Sequence, residues 1–209
     1  CIAIPLGVYA GAYPKRASSK LIMSGSILGI SLPSFWVGMM MIYIFAVVLR
    51  LLPASGRGNT VMVGNVALSI FAPGGIRYVI LPAITLALTN MATMLRLTRS
   101  GILENMRQDY IKFARAKGVP AKSILFGHAL KNALIPVVTI FGMDLGNMIA
   151  FTTITETIFA WPGMGKLLIN KSDRPIIVAY LMAAACMFVV LNFIVDILYT
   201  LIDPRIELR

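Results

Sequence analysis

Residues 175–195 read PIIVAYLMAAACMFVVLNFIV, twenty-one positions without a charged side chain. At 1.5 Å per helical residue, about 20 apolar residues cross a hydrocarbon core roughly 30 Å thick. This run is long enough to span a bilayer as a single helix. Outward from it, residues 21–49 and 78–95 also carry no charge, and 132–155 carry only Asp144. The chain has 209 residues, 58% hydrophobic and 13% charged, with a mean hydropathy of +0.85. A soluble domain of this length cannot bury so much apolar surface. The runs lack the strict alternation of barrel strands. The class is therefore an all-α membrane protein, a polytopic helix bundle.

About five transmembrane helices are expected, near 1–13, 21–49, 78–98, 132–155 and 176–202. The first opens in mid-run at Cys1 and stops at Pro14-Lys15-Arg16. It is expected to be the remnant of a longer helix rather than a cleaved leader, because no basic segment precedes it. Pro33 interrupts the second span and Pro82 lies early in the third, and both are expected to bend their helices. Gly7-xxx-Gly11, Gly25-xxx-Gly29 and Gly142-xxx-Gly146 offer flat strips for close helix contact. No internal repeat is evident.

Charge sets the orientation. Lys and Arg number three in 14–20, eight in 96–131 and two in 203–209, against three each in 50–77 and 156–174. Thirteen against six, on alternating connections, places 14–20, the 96–131 loop and the C-terminus in the cytoplasm. The net charge of +11 follows from this asymmetry and calls for no nucleic acid. Residues 50–77 and 156–175 then lie outside. The first is rich in Gly, Pro and Ser and is expected to hold one short helix. In the second, Phe159 and Trp161 suit interfacial anchors, and Pro162-Gly163 marks a tight turn.

Chemistry-bearing residues are few. Cys1 and Cys186 make no disulfide framework, and Cys186 is expected as a small buried hydrophobe. His128 is the single histidine, expected at a surface, which excludes a multi-histidine metal site, and no Ser-His-Asp set is seen around it. No G-x-x-x-x-G-K-[ST] phosphate loop occurs, and no catalytic residues or resident metal are expected. Asp144 and Asn147, three apart on one helical face, are the polar pair of the fourth span. Ionisable groups at such depth are costly and face a bundle interior or a watery path. Asp144 is thus either a helix–helix partner or part of a solute path. Asn192 and Asp196 are further polar positions in the last span, Asp196 expected in an interfacial structural role.

The basic segment 110–136, YIKFARAKGVPAKSILFGHALKNALIP, lies between two apolar runs. Lys112, Arg115 and Lys117 surround the small residues Ala114, Ala116 and Gly118. Pro120 can occupy the first turn of a helix over 120–131, with Gly118 separating it from one that ends near Lys117. Two short helices with a Gly hinge suit docking into a groove on another protein, or lying on anionic lipid; spacing alone leaves both open.

The run ARAKG at 114–118, followed by HALKNALIP at 128–136, resembles the cytoplasmic EAA loop of binding-protein-dependent ABC importer permeases, closest to the branch handling dipeptides, oligopeptides and nickel. GISLPSFWVG at 29–38, LPASGRG at 52–58, ETIFAWPGMGKLL at 156–168 and DPRI at 203–206 agree in order. In place of the pattern's Glu and first Ala this chain has Lys112 and Phe113, with Ala114 and Gly118 retained.

The resemblance implies a single type I permease domain over 1–209, with 110–131 as its coupling loop and a further helix and external segment upstream of Cys1. It implies a pore-forming, non-enzymatic subunit in the inner membrane of a prokaryote, translocating a peptide or similar small solute, nickel included. Ala114, Arg115, Ala116, Lys117, Gly118 and Pro120 would meet the ATPase, and Asp144 and Asn147 would line the path. The implied partners are a second homologous permease, two cytoplasmic ATPase subunits that use the ATP, and an external solute-binding protein, all in membrane lipid. The alternatives are a self-sufficient secondary transporter or channel, or a membrane scaffold.

Overall fold

The computed structural model describes residues 1–64, 66–165 and 174–202. The helices are α1 (Ala3–Ala12), α2 (Ala17–Ser31), α3 (Ser34–Met41), α4 (Ile76–Asn105), α5 (Asp109–Ala116), α6 (Ala121–Ser123), α7 (Leu130–Ile158) and α8 (Arg174–Ile202). Two π-helical segments, Ile42–Val48 and Ile124–Ala129, extend α3 and join α6 to α7.

These elements follow the five expected runs in order. Segments Ile76–Asn105, Ala121–Leu145 and Ile177–Val195 are long and apolar enough to cross a membrane, while α1 is a shorter apolar helix. The run 21–49 is not one continuous helix: it breaks between α2 and α3, where Pro33 takes φ −60° and ψ 137°. Proline disfavours helical geometry in the residue before it and offers no amide to the preceding turn. Pro82, by contrast, lies within α4. The 120–131 helix is not separate either, since helix runs from Ala121 through the π segment into α7. The connection 50–77 holds, instead of a short helix, an antiparallel hairpin of β1 (Val61–Val63) and β2 (Val66–Leu68), in register Val61 with Leu68 and Val63 with Val66.

The chain divides into two compact units. The first comprises Cys1–Ser31, Asn90–Leu145 and the chain from Phe188 onward. Its helices meet at small residues. A Cβ on Gly7 would stand 2.6 Å from the Thr98 Cβ, one on Gly101 2.9 Å from the Ala133 Cβ, and one on Gly142 2.7 Å from the Val195 Cγ1. The missing side chains let α1 approach α4, α4 approach α7, and α7 approach α8. A Cβ on Gly25 would meet nothing, so the expected strip at Gly25 is not used within the described chain. Buried Thr98 donates its hydroxyl to the Met94 carbonyl at 2.8 Å, which satisfies it in apolar surroundings. One apolar cluster joins Ala3, Met94, Leu95 and Val137; the other joins Val8, Ile102, Ile111, Ile124, Ala129 and Ala133.

The second unit comprises Leu32–Thr89 and Gly146–Met187. Here α3 rests through Gly38 against Thr85, Ile158 and Phe159. Phe159 is buried and its carbonyl accepts the Gly56 amide at 2.9 Å, so it is a packing residue rather than an interfacial anchor. The hairpin is tied to its own loop by Arg57, whose Nη2 donates to the Ala67 carbonyl at 3.1 Å. Cys186 is exposed, contrary to the expected burial. The DPRI tetrad, the rest of the tail to Arg209, and residues 166–173 of the 156–175 connection lie outside the described residues.

Candidate functional site

The basic segment folds as a helix, a tight turn and a second helix. Ile111, fully buried, anchors α5 in a cluster with Ile102, Ile124, Ala129 and Ala133. Helix α5 stops at Lys117 because Gly118 takes φ +77°, a left-handed conformation that costs glycine nothing. The Gly118 amide donates to the Arg115 carbonyl at 3.0 Å, and the Val119 amide to the Ala114 carbonyl at 3.2 Å. These are the two bonds of a Schellman cap, and the two positions that such a cap makes apolar, Ala114 and Val119 here, both pack on the Ile111 cluster. A Cβ on Gly118 would meet no atom within 4 Å. Glycine is required there by backbone geometry alone.

This divides the sequence motif by face. Ala114 is half-buried and structural, whereas Arg115, Ala116, Lys117, Gly118 and Pro120 are exposed. Pro120 stands just before α6, at φ −57° and ψ 141°, rather than inside its first turn. The exposed face carries Lys112, Arg115, Lys117 and Lys122 against Asp109. Two large aromatics share it, Phe113 at 61% and Phe126 at 57% exposure. The Lys117 Nζ lies 4.5 Å from the Phe113 ring centroid, within cation–π range. Lys112 pairs with Asp109 at 2.8 Å, and that hydrogen bond, reinforced by the ammonium charge, holds the Asp109 carboxyl below its ordinary range. His128 is exposed, as expected.

A polar latch that the sequence reading passed over fixes the turn to its neighbours. The Tyr110 hydroxyl donates to Asn105 Oδ1 at 2.8 Å and accepts from Asn132 Nδ2 at 2.9 Å. Asn105 Nδ2 in turn donates to the Gly101 carbonyl at 2.8 Å. One side chain thereby joins the end of α4, the start of α5 and the start of α7. The only sequence signal was two asparagines flanking the basic loop, at positions that become adjacent only on folding. The π segment Ile124–Ala129 left no legible signal.

Asp144 lies half-buried within α7 and has no hydrogen bond or ion pair among the described residues. Asn147 is in the same helix, but its side chain lies outside the described ones. At the end of α7 the ETIFAWPG stretch forms a second Schellman cap. Here Ala160 takes φ +47°, its amide donates to the Thr157 carbonyl at 3.2 Å, and Trp161 donates to the Glu156 carbonyl at 2.8 Å.

Comparison with known proteins places the chain among transport permeases. The family described as binding-protein-dependent transport system inner membrane component matches residues 3–208. The chain is 41% identical over 209 residues to the oligopeptide transport system permease protein AppB of Bacillus subtilis (strain 168), covering 99% of this chain and 64% of that protein. It is 41% identical over 201 residues to the di/tripeptide transport system permease protein DppB of Pseudomonas aeruginosa (strain UCBPP-PA14), covering 89% and 60%. Against the dipeptide transport system permease protein DppB of Escherichia coli (strain K12) the identity is 35% over 224 residues, covering 99% and 66%. The chain thus spans between 60% and 66% of the length of these relatives.

Proposed function

This chain belongs to the family of inner membrane components of binding-protein-dependent transport systems, and on that premise we propose that it is a pore-forming subunit of an ATP-driven peptide importer. The three relatives carry oligopeptide, di/tripeptide and dipeptide in their names, which favours a peptide over a nickel complex. A solute-binding protein delivers the substrate from outside, and a second permease of the same kind completes the pore. Two cytoplasmic ATPase subunits supply the energy, so this chain performs no catalysis. The 96–131 loop and the C-terminus face the cytoplasm. Residues 1–209 act as one permease domain, and Asp144 and Asn147 belong to the solute path.

The observation that carries this reading is the exposed basic turn around Gly118. It stands on a buried apolar base, held by the Schellman cap and the Tyr110 latch. Rigid presentation of cations and two aromatics fits a protein groove lined with carboxylates and an apolar pocket. A lipid-bound helix would need no such fixed turn.

The test uses the full-length protein assembled with its partner chains in proteoliposomes. Arg115→Glu, which opposes a docked carboxylate, should leave the complex assembled but lower ATP-dependent peptide uptake about tenfold or more. Normal uptake by Arg115→Glu would remove this turn from the ATPase contact. Uptake lost only in vesicles containing anionic lipid, with ATPase binding intact, would assign the turn to the membrane surface.

A further inference from the structure

In the second unit, the last turn of α7 places Glu156 between two cavities. One, of about 270 Å³, is walled by apolar groups including Pro82, Leu86 and Trp161, and shares Thr152 and Glu156 with the other. The second, of about 160 Å³, continues past Glu156 and Thr152 to Tyr180 and Met187. Among the described residues lining the two, Glu156 is the only one with a charged side chain. Thr152, which lines both cavities, donates its hydroxyl to the Met148 carbonyl at 2.6 Å, so its oxygen can act toward a ligand only as an acceptor. Glu156 also lies at the carbonyl end of a 29-residue helix, where the helix dipole adds negative potential.

The carboxylate is given room by a neighbour. A Cβ on Gly163 would collide with the Glu156 carboxylate carbon and both oxygens. The turn that brings Gly163 there is closed by its amide donating to the Trp161 carbonyl at 2.9 Å. Gly163 is therefore a positioning residue for Glu156.

We propose that Glu156, with Thr152 and the Trp161 wall, forms a binding site for an ammonium group attached to an apolar side chain, such as the amino end of a short peptide. The carboxylate and the helix end attract the cation, Thr152 accepts one of its N–H groups, and the apolar wall takes the adjoining side chain. The site's place in a transport path rests on the permease reading above; its ligand chemistry does not.

Binding is read separately from transport, on the full-length protein with its partner chains, in a background where every tryptophan but Trp161 is phenylalanine, Trp36 among them. The probes are phenylalanine amide, which carries an ammonium, and its N-acetyl derivative, which does not. Trp161 emission should respond saturably to the first and at least tenfold more weakly to the second. Glu156→Gln should lose that preference, and Gly163→Ala should weaken phenylalanine amide binding about tenfold. The double variant should bind no more weakly than Glu156→Gln alone, because Gly163 acts through the carboxylate. Equal responses to the two probes in the unaltered site overturn the proposal without any variant. So does undiminished binding by a folded Glu156→Gln. Selective binding without ATP-dependent uptake of a free-amine dipeptide would instead fault the importer reading and leave the site standing.

Discussion

The Val119 amide donates to the carbonyl of Ala114 at 3.2 Å, and this bond explains why a small residue and a glycine stand four apart in the basic loop. Trp161 repeats the relation on the Glu156 carbonyl at 2.8 Å. One helix ends through glycine and the other through alanine, at φ +77° and +47°.

The two caps should answer oppositely to exchange. Gly118→Ala should destabilise the turn by about 1–2 kcal/mol, the cost of a left-handed alanine. Ala160→Gly should relieve a similar strain and lose about 0.4–1 kcal/mol to greater freedom of the unfolded chain, for a small net gain. Thermal unfolding in detergent would order the three proteins. A stabilised Gly118→Ala would contradict the cap.

Removal of one oxygen should loosen the latch. Tyr110→Phe deletes both the bond to Asn105 and the bond from Asn132, each worth about 0.5–1.5 kcal/mol net. Amide exchange in α5 should accelerate by roughly tenfold, with α8 unchanged. Equal acceleration in both helices would point to global loss of fold instead.

Helix contact at Gly101 should tolerate no side chain. Its Cβ would stand 2.9 Å from the Ala133 Cβ, and overpacking of this kind costs about 1–3 kcal/mol. Gly101→Val should lower the unfolding temperature, and Gly127→Ala should not, because the nearest atom to a Cβ there is 3.8 Å away.

Acid should act on α5 through Asp109. Its carboxyl is held below the ordinary value by the Lys112 hydrogen bond and charge. A depressed carboxyl stabilises the folded state above its unfolded pKa, near 3.9, and that contribution fades as pH falls through the lower folded value. Protection of α5 amides should thus hold from about pH 7 to 5 and decline below about 4. Lys112→Met should shrink the decline, and a decline already present near pH 6 would implicate another group.

Cysteines introduced at Ser18 and Ser123 should resist an impermeant external reagent in intact cells, while one at Ser55 should react. Labelling of Ser123 from outside would reverse the proposed orientation.

Long uncharged runs determined by themselves that the chain is helical and membrane-embedded, since a run such as 78–95 has one low-energy state in hydrocarbon whatever it packs against. The ARAKG run likewise determined a turn at Gly118, because helix termination by a left-handed residue is local. Tertiary structure alone decided which face of that turn is buried, since Ile111 is inward only by meeting Ile102 and Ala133 from distant helices. It also decided the hairpin in 50–77, where strand pairing depends on a partner rather than on propensity. Phe159 turned inward for the same reason: an aromatic at a span's end is an anchor or a core residue according to what stands opposite it. Glu156 was visible as a letter in a motif, but its place between two cavities required Pro82, Gly163 and Tyr180 to converge from separate stretches of chain. Local sequence carries backbone preference and solvent preference; it does not carry the identity of neighbours, and a site is made of neighbours.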